Sequence, residues 1–225
     1  MLKLAIFDVD GTLVDSRQII QRAAEVAFDR QGLPIPSYDE VRQVVGLSLD
    51  EALARLAPEL PQRDLAELVR VYQDSFGAFR LDPAFVEPLY DGAHEILDHL
   101  KTEGWFLALA TGKSRRGVDE IVRMHKWDRM FDATLCADDG PGKPNPHMIE
   151  EVLRRTGCDR DHSLMIGDTS FDMMMAKSAR VRPVGVTWGF HQADELLATG
   201  ITDLAHTFAD LRGHLGVMNK TEDAP

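Results

Sequence analysis

The pattern of apolar and polar positions divides the chain into short buried strands and amphipathic helices. An apolar run over residues 2–9 predicts a strand that is covered on both faces. After residue 88, similar runs alternate with segments in which apolar residues recur at helical spacing. The further predicted strands cover residues 105–110, 133–137, 163–166 and 184–187. This alternation predicts an α/β fold, in which helices flank a Rossmann-like parallel sheet core.

The segment between the first strand and residue 85 shows only helical patterns. Ser37 and Glu40 have the spacing of a capping box, which predicts the start of a short helix. The longer predicted helices cover residues 16–31, 49–56 and 63–79. A parallel crossover does not need a block of this length. We therefore interpret the block as an inserted all-helical cap domain.

The predicted domain boundaries follow from the limits of this helical block. Residues 1–14 and 86–225 would form the α/β core, and residues 15–85 would form the helical cap. A cap inserted by two crossings of the chain can open and close, with hinges expected near 14–17 and 82–88.

Polar groups follow the ends of four predicted strands. In an open parallel sheet, ligands bind beyond the carboxyl ends of the strands, so these groups are expected to share one site. They are Asp8 and Asp10, Thr111-Gly112-Lys113-Ser114, Gly142-Lys143-Pro144, and the segment from Gly167-Asp168 to Asp172.

The carboxylates of this set predict a metal site. Asp8 and Asp10 point to the same side of the strand end, where two anions repel each other and lose solvation unless they hold a cation or a proton. Asp168 and Asp172 can meet them at the same edge of the sheet. Taken alone, these two residues also fit a helix N-cap with a first-turn acid. Four oxygen donors without His or Cys favour Mg²⁺ over zinc.

The remaining strand ends supply candidate anion-binding groups. The Thr111 hydroxyl and the Gly112 N–H form an oxyanion-binding pair near a helix N-terminus. Lys143 is followed by Pro144, and a lysine held by rigid backbone near several carboxylates can neutralise a phosphate. Lys113 is expected to be a solvated surface lysine.

Charge arithmetic links these groups to phosphoryl transfer. A carboxylate about 4 Å from a phosphate dianion is repelled by roughly 4 kcal/mol per unit charge at an effective dielectric of about 20. Attack by Asp8 therefore needs cations, and one Mg²⁺ with Lys143 supplies them. A carboxylate nucleophile, a metal and a lysine form a consistent set for transfer through an aspartyl-phosphate.

Composition excludes several classes of partner. The 225-residue chain has a net charge of −12, which argues against nucleic acid or an anionic membrane surface as the main partner. No stretch approaches 18 apolar residues, and no signal peptide is recognisable, so we expect no membrane association. Its two cysteines are too few for a disulfide framework and are expected to be reduced thiols in a cytoplasmic protein. The expected state is a monomer or homodimer that binds a small anionic phosphorylated substrate.

The polar segments, taken together, resemble the four motifs of the haloacid dehalogenase-like hydrolase superfamily. They occur in the family's order, and the helical block matches its cap. The matching segments are Phe7-Asp8-Val9-Asp10-Gly11-Thr12-Leu13, Thr111-Gly112, Lys143-Pro144 and Gly167-Asp168 with Asp172. Residues 185–189 also resemble the phosphoglycolate phosphatase-like branch.

The resemblance implies a role for each matched residue. Asp8 would be the nucleophile, and Asp10 the acid that protonates the leaving alkoxide and then the base for water. Thr111, Gly112 and Lys143 would bind the phosphoryl group. The implied Mg²⁺ ligands are the Asp8 carboxylate, the Asp10 backbone carbonyl and Asp168, with Asp172 supporting the metal site or Lys143.

Departures from the family's subclasses narrow the expected reaction. The dehalogenases of the superfamily lack an Asp at the position of Asp10. The β-phosphoglucomutase-type members usually carry Val where this chain has Thr12. They also carry a His in the cap, whereas residues 16–21 of this chain contain none. The expected function is Mg²⁺-dependent hydrolysis of a small phosphorylated metabolite, with a phosphoglycolate-type ester as the default. An inorganic pyrophosphatase, a sugar-phosphate mutase and a non-catalytic binding protein remain as alternatives. The cap loop Gly46-Leu47-Ser48 is expected to meet the leaving group. Arg180 replaces a usual Gly at a helix end, where the left-handed conformation is costly.

Overall fold

The computed structural model describes residues 2–217, and over this range six parallel strands form one sheet. The strands are β1 (Leu4–Phe7), β2 (Phe106–Ala110), β3 (Ala133–Leu135), β4 (Ser163–Gly167), β5 (Arg182–Val186) and β6 (Leu204–Ala205). Their order is β3-β2-β1-β4-β5-β6, which places β1 between β2 and β4. The predicted parallel α/β fold is confirmed. The two-residue strand β6 was not predicted because it carries no apolar run of its own.

Helices cover both faces of this sheet. The core helices are α5 (Ala93–Thr102), α6 (Arg115–Met124), α7 (His147–Thr156), α8 (Ser170–Ala179), α9 (Ala193–Leu197) and α10 (Phe208–Val217). Ala5 and Phe7 of β1 pack into the core on the side of α5 and α10, whereas Leu4 and Ile6 pack on the side of α7 and α8. Burial on both faces explains why the strand sequence is continuously apolar.

The segment between β1 and β2 contains the remaining helices. They are α1 (Arg17–Arg30), α2 (Tyr38–Arg42), α3 (Leu49–Leu56) and α4 (Gln62–Arg80). These helices bury an apolar cluster of their own, which includes Phe28, Leu53 and Leu68. The predicted capping box is present, since the Ser37 side chain accepts from the Glu40 N–H and Glu40 accepts from the Ser37 N–H. The division at residues 15 and 85 into cap and core stays a prediction.

The two chain crossings between the helical block and the sheet run side by side. The Asp15 N–H donates to the Pro88 carbonyl at 2.8 Å, and the Tyr90 N–H donates to the Leu13 carbonyl at 3.1 Å. Because the crossings pair with each other close to Asp10, movement of the helical block would be transmitted to the loop that follows β1.

The end of helix α8 differs from what the sequence predicts. Arg180 adopts the left-handed conformation, with φ 57° and ψ 38°, and the buried Val181 that follows it donates to the Ala176 carbonyl. The helix end therefore forms despite the cost expected for Arg.

None of the helices within residues 2–217 has the length and apolar character needed to span a membrane. The polar tail at residues 219–225 lies outside the described residues.

Candidate active site

The ends of β1, β2 and β4 bring the predicted site residues together. Phe7 is aligned with Leu109 and Ile166 in the sheet register, so the residues that follow these strands are neighbours. The Asp8 N–H donates to the Ile166 carbonyl, and the Thr111 N–H donates to the Leu135 carbonyl. Both side chains are buried. Parallel pairing thus places Asp8, Thr111 and Asp168 at one edge of the sheet.

Three carboxylates converge at this edge around one lysine. Oxygen atoms of Asp8, Asp168 and Asp172 lie within 4.8 Å of one another, and all three residues are buried. The Nζ atom of Lys143 lies 2.7 Å from Asp8 Oδ1 and 2.6 Å from Asp172 Oδ1. Lys143 is 1% exposed. One buried cation therefore pairs with two of the three buried carboxylates.

Burial, followed by the neighbouring negative charges, perturbs the titration of these groups. Burial raises the pKa of Asp8 to about 7, with Asp172 and Asp10 adding to the rise and Lys143 opposing it. Burial, followed by the charges of Asp8 and Asp172, holds the pKa of Asp168 well above its usual range. The pKa of Lys143 is raised because the two carboxylates outweigh the effect of its burial. The cluster thus favours an additional positive charge.

The donor set fits a hard divalent cation. Asp8 Oδ2 is buried and accepts no hydrogen bond from any described residue. The three converging side chains offer only carboxylate oxygens, the donor type that Mg²⁺ prefers. The Asp10 side chain is not part of this carboxylate cluster. Binding of a metal by the backbone carbonyl of Asp10 stays a prediction.

Asp168 is held in place by contacts that the sequence analysis did not assign. The Thr12 hydroxyl donates to Asp168 Oδ1 at 2.8 Å, and the Phe190 N–H donates to Oδ2 at 2.8 Å. Gly11, with φ +82°, passes so close that an added Cβ would lie 2.2 Å from Oδ2. A side chain at Gly11 would therefore displace Asp168. Gly11 and Thr12 follow Asp10 directly, but Phe190 is brought in only by the tertiary fold.

Asp172 both caps a helix and pairs with Lys143. The Thr169 hydroxyl donates to Asp172 Oδ2 at 2.6 Å, and the two residues form the capping box that begins α8. The other oxygen, Oδ1, pairs with Lys143. The helix cap thus orients the carboxylate that positions Lys143.

Thr111 and Gly112 lie beneath the predicted specificity loop. The Thr111 hydroxyl accepts from the Lys113 N–H at 3.3 Å, and Ser114 rather than Thr111 is the N-cap of α6. An added Cβ at Gly112 would lie 2.4 Å from the Leu47 carbonyl oxygen and 2.7 Å from that of Gly46. The loop Gly46-Leu47-Ser48 is therefore brought directly onto the strand ends, where a glycine leaves room for it.

The prediction that Lys113 is a solvated surface lysine was wrong. Its side chain is 8% exposed, and Nζ lies 2.8 Å from Asp10 Oδ1 and 3.5 Å from Glu87 Oε1. Nζ also lies 5.3 Å from the ring centroid of Phe76 in α4. Lys113 is buried because the chain crossing that carries Glu87 and the helical block both close over it.

A cavity of about 590 Å³ separates the strand ends from the helical block. Asp8, Asp10 and Thr111 line it on the side of the sheet. Gly46, Leu47 and Ser48 also line it, together with residues of α1, α3 and α4. The predicted site residues on the sheet side therefore face a partly open cavity that is large enough for a small-molecule ligand.

A second contact joins the helical block to the core beside this cavity. Arg42 Nη1 donates to Glu195 Oε2 at 2.8 Å and to the Phe190 carbonyl at 3.3 Å. Gln43 also donates to Glu195. Although burial raises the pKa of Glu195, the hydrogen bonds that it accepts, the Arg42 bond first among them, lower it to about 2. The loop that fixes Asp168 is thus tied to the helical block.

This arrangement of carboxylates, lysine and inserted helices agrees with a comparison against known families. The model of the haloacid dehalogenase-like hydrolases matches residues 5–186, which is most of the chain. The protein belongs to the haloacid dehalogenase-like hydrolase family. The family and fold predicted from the four motifs are confirmed, and with them the prediction of an enzyme.

Individual relatives lead to the same conclusion. The chain is 33% identical to "Probable phosphatase IndB" of Dickeya dadantii over all of its own length and 98% of that protein. It is 30% identical to a phosphoglycolate phosphatase of Vibrio parahaemolyticus, covering 93% of this chain and 94% of the relative. A haloacid dehalogenase-like family hydrolase of Streptococcus pneumoniae shares the fold, with a TM-score of 0.81 at 24% identity over 95% of this chain and 98% of that chain. The predicted class, a phosphoric monoester hydrolase, is confirmed at the level of the family and its phosphatase relatives.

Proposed function

We propose that this hydrolase is a Mg²⁺-dependent phosphatase that cleaves a small phosphorylated metabolite through an aspartyl-phosphate on Asp8. One observation carries the proposal. Asp8 is buried with Oδ1 on Lys143 and with Oδ2 accepting no hydrogen bond from the described residues, at the edge of a cavity that Asp10 and Thr111 also line. A buried carboxylate with an unengaged oxygen beside a cation suits a nucleophile toward a phosphorus atom.

The metal would be held by the carboxylates of Asp8 and Asp168, with the Asp10 carbonyl as the third protein ligand and Asp172 in support. Bound Mg²⁺ supplies positive charge that stabilises the negative charge on the transferring phosphoryl group. Thr12 and Phe190 fix the Asp168 carboxylate for this purpose through their two hydrogen bonds. The raised pKa values of Asp8 and Asp168 support the need for that charge.

The side chains of this protein divide the remaining work. Lys143, the Thr111 hydroxyl and the Gly112 N–H would bind the phosphoryl oxygens. Asp8 would attack phosphorus, so that a bond forms from its carboxylate oxygen while the ester P–O bond breaks. Asp10 would give its proton to the departing alkoxide and then accept one from the water that hydrolyses the aspartyl-phosphate.

The substrate is assigned only by class. The branch resemblance and the relatives named phosphoglycolate phosphatase make 2-phosphoglycolate the default substrate. Inorganic pyrophosphate and a sugar-phosphate mutase reaction are the alternatives on the same fold. A non-catalytic binding protein is the least favoured, because every motif keeps its reactive side chain. The proposed site of action is the cytoplasm, as expected from the reduced cysteines.

The hydrolysis of para-nitrophenyl phosphate tests the proposal. Wild type is expected to release nitrophenolate only with Mg²⁺, and Asp8→Asn is expected to lose at least about a thousandfold in kcat because the nucleophile is absent. Undiminished turnover by Asp8→Asn, or wild-type turnover that is unaffected by a chelator, would contradict it.

The role of Asp10 has a separate test. Asp10→Asn is expected to slow the hydrolysis of alkyl phosphates far more than that of para-nitrophenyl phosphate, since nitrophenolate leaves without protonation. Equal losses on the two kinds of ester would remove Asp10 as the general acid.

A further inference from the structure

The cavity above Asp8 and Asp10 has an apolar wall on the side of the helical block. That wall is formed by α1, by the turn after α2, by α3 and by α4, and it includes Ile20, Ala24, Val45, Leu53, Leu56 and Phe76. Several of these side chains also join one apolar cluster with Phe190 of the core. A leaving group bound to Asp10 would extend toward this wall.

The cations that line the cavity already have carboxylate partners. Lys113 pairs with Asp10 and Glu87. Arg80 pairs with Glu87 and Glu120. Arg116 Nε lies 3.0 Å from Glu120 Oε1. Arg80 Nη2 is buried without a hydrogen-bond partner among the described residues, but its other two nitrogens are paired. A second anionic group on the substrate would therefore meet a cation whose charge Glu87 and Glu120 already balance.

The volume of the cavity also exceeds what a two-carbon leaving group needs. Cavities of roughly 300–1,000 Å³ hold drug-sized ligands, and this one measures about 590 Å³. Glycolate would leave most of the apolar wall uncovered. An apolar group of several carbons would cover it and would gain from being removed from water.

We propose that the substrate is a phosphomonoester whose leaving group is uncharged, apolar and longer than two carbons, and that this group packs against the wall formed by α1, α3 and α4. The proposal rests on the phosphatase function proposed above, and it replaces 2-phosphoglycolate, the default substrate that the branch resemblance suggests. The phosphoryl group would remain on Asp8, Thr111 and Lys143, and the ester oxygen would lie at Asp10.

A series of alkyl phosphates measures the apolar contribution without changing the chemistry. Ethyl, butyl and hexyl phosphate leave as alkoxides of similar basicity, so differences among them report binding in the cavity. With saturating Mg²⁺ and phosphate release as the readout, kcat/KM is expected to rise about threefold per methylene. Hexyl phosphate is also expected to exceed 2-phosphoglycolate, which differs from ethyl phosphate by a carboxylate in place of the methyl group.

A cavity-filling variant tests the location. A Cβ added at Gly77 in α4 would meet only the Arg116 side chain, at 3.9 Å, so a larger residue can extend into the cavity from this position. Gly77→Phe is expected to lower the ratio of the hexyl to the ethyl kcat/KM by about tenfold. Ala78→Phe is the matched control, since it places the same residue one position along the helix, where the side chain is exposed. Its ratio is expected to equal that of wild type.

The outcomes separate this proposal from the one on which it rests. If para-nitrophenyl phosphate is hydrolysed with Mg²⁺ but the alkyl series is flat, or 2-phosphoglycolate is the best substrate, the apolar leaving group is wrong and the phosphatase function stands. If Ala78→Phe and Gly77→Phe change the ratio equally, the assignment to this cavity is wrong. If no phosphomonoester is hydrolysed, both proposals fail.

Discussion

The Nζ atom of Lys113 lies 2.8 Å from Oδ1 of Asp10, whereas the carboxylates of Asp8, Asp168 and Asp172 converge on one another. The same lysine lies 3.5 Å from Glu87, on the chain crossing that leads back from the helical block to the sheet. The proposed acid is thus held by a cation that also contacts the predicted hinge segment near residues 82–88. A movement of the helical block would therefore be transmitted to Asp10 through this one side chain.

Removal of Lys113 is expected to destabilise the protein. Lys113→Met leaves the buried carboxylate of Asp10 without its ion-pair partner, whereas Glu87 keeps Arg80, and breaking a buried pair in this way costs about 3 kcal/mol. Urea unfolding at pH 7 measures the loss in the free energy of unfolding. The double variant Lys113→Met/Asp10→Asn removes the charge that the first substitution leaves unpaired and is expected to recover part of the loss. Additive effects of the two substitutions would show that the residues are not coupled.

The wrong prediction for Lys113 shows which kind of contact the sequence does not predict. Asp8, Asp168 and Lys143 could be grouped in advance, because parallel strands deliver their carboxyl ends to one edge of a sheet. The environment of Lys113 depends instead on Glu87 and Phe76, which the helical block brings from elsewhere in the chain. A lysine in a loop carries no local signal of such a contact.

The same limit applies to the contacts around Asp168. The Phe190 N–H that binds its carboxylate lies 22 residues along the chain, in the loop that follows β5. Neither its hydrogen bond nor the Arg42–Glu195 pair follows from hydrophobic periodicity. Local patterns predicted the elements and their polar ends, whereas packing between the helical block and the core decided which further groups reach the site.

The raised pKa of Asp8 predicts how stability depends on pH in the metal-free protein. Burial, reinforced by Asp172 and Asp10, raises the pKa to about 7 from the value of 3.8 that an unperturbed Asp has. Between these values the unfolded chain releases the proton while the native protein keeps it, so the stabilising contribution of Asp8 is complete below pH 4 and is lost as the pH rises to 7. In a chelator, the free energy of unfolding of wild type relative to Asp8→Asn is expected to fall by roughly 1 kcal/mol per pH unit over this range. Urea unfolding of both proteins at pH 4.5, 5.5 and 6.5 measures this difference. If the free energies of unfolding of the two proteins change in parallel with pH, the raised pKa of Asp8 is contradicted.

Thr12 is expected to act on metal affinity through Asp168. Its hydroxyl donates the 2.8 Å hydrogen bond that orients Asp168 Oδ1, and loss of such a supporting contact typically weakens metal binding about tenfold or more. Thr12→Val keeps the shape of the side chain but removes the donor, so the Mg²⁺ concentration for half-maximal activity is expected to rise by about this factor. Thr12→Ser keeps the hydroxyl donor and is expected to behave like wild type. If both variants weaken Mg²⁺ activation equally, packing and not the hydrogen bond explains the effect.

Gly112 is expected to be required for the approach of the cap loop and not for the stability of the core. A Cβ at this position would lie 2.4 Å from the Leu47 carbonyl oxygen, and backbone cannot yield as a flexible side chain does. Gly112→Ala is therefore expected to hold the loop Gly46-Leu47-Ser48 off the strand ends and to lower kcat/KM by about a hundredfold, because small displacements at a reacting centre are costly. The core contacts of β2 are untouched, so the urea midpoint is expected to stay close to that of wild type.

Gly213→Ala is the control, since a Cβ there meets nothing within 4 Å. Full activity of Gly112→Ala would show that the loop need not touch the strand ends during turnover, and a large drop in its urea midpoint would place the role of Gly112 in folding instead.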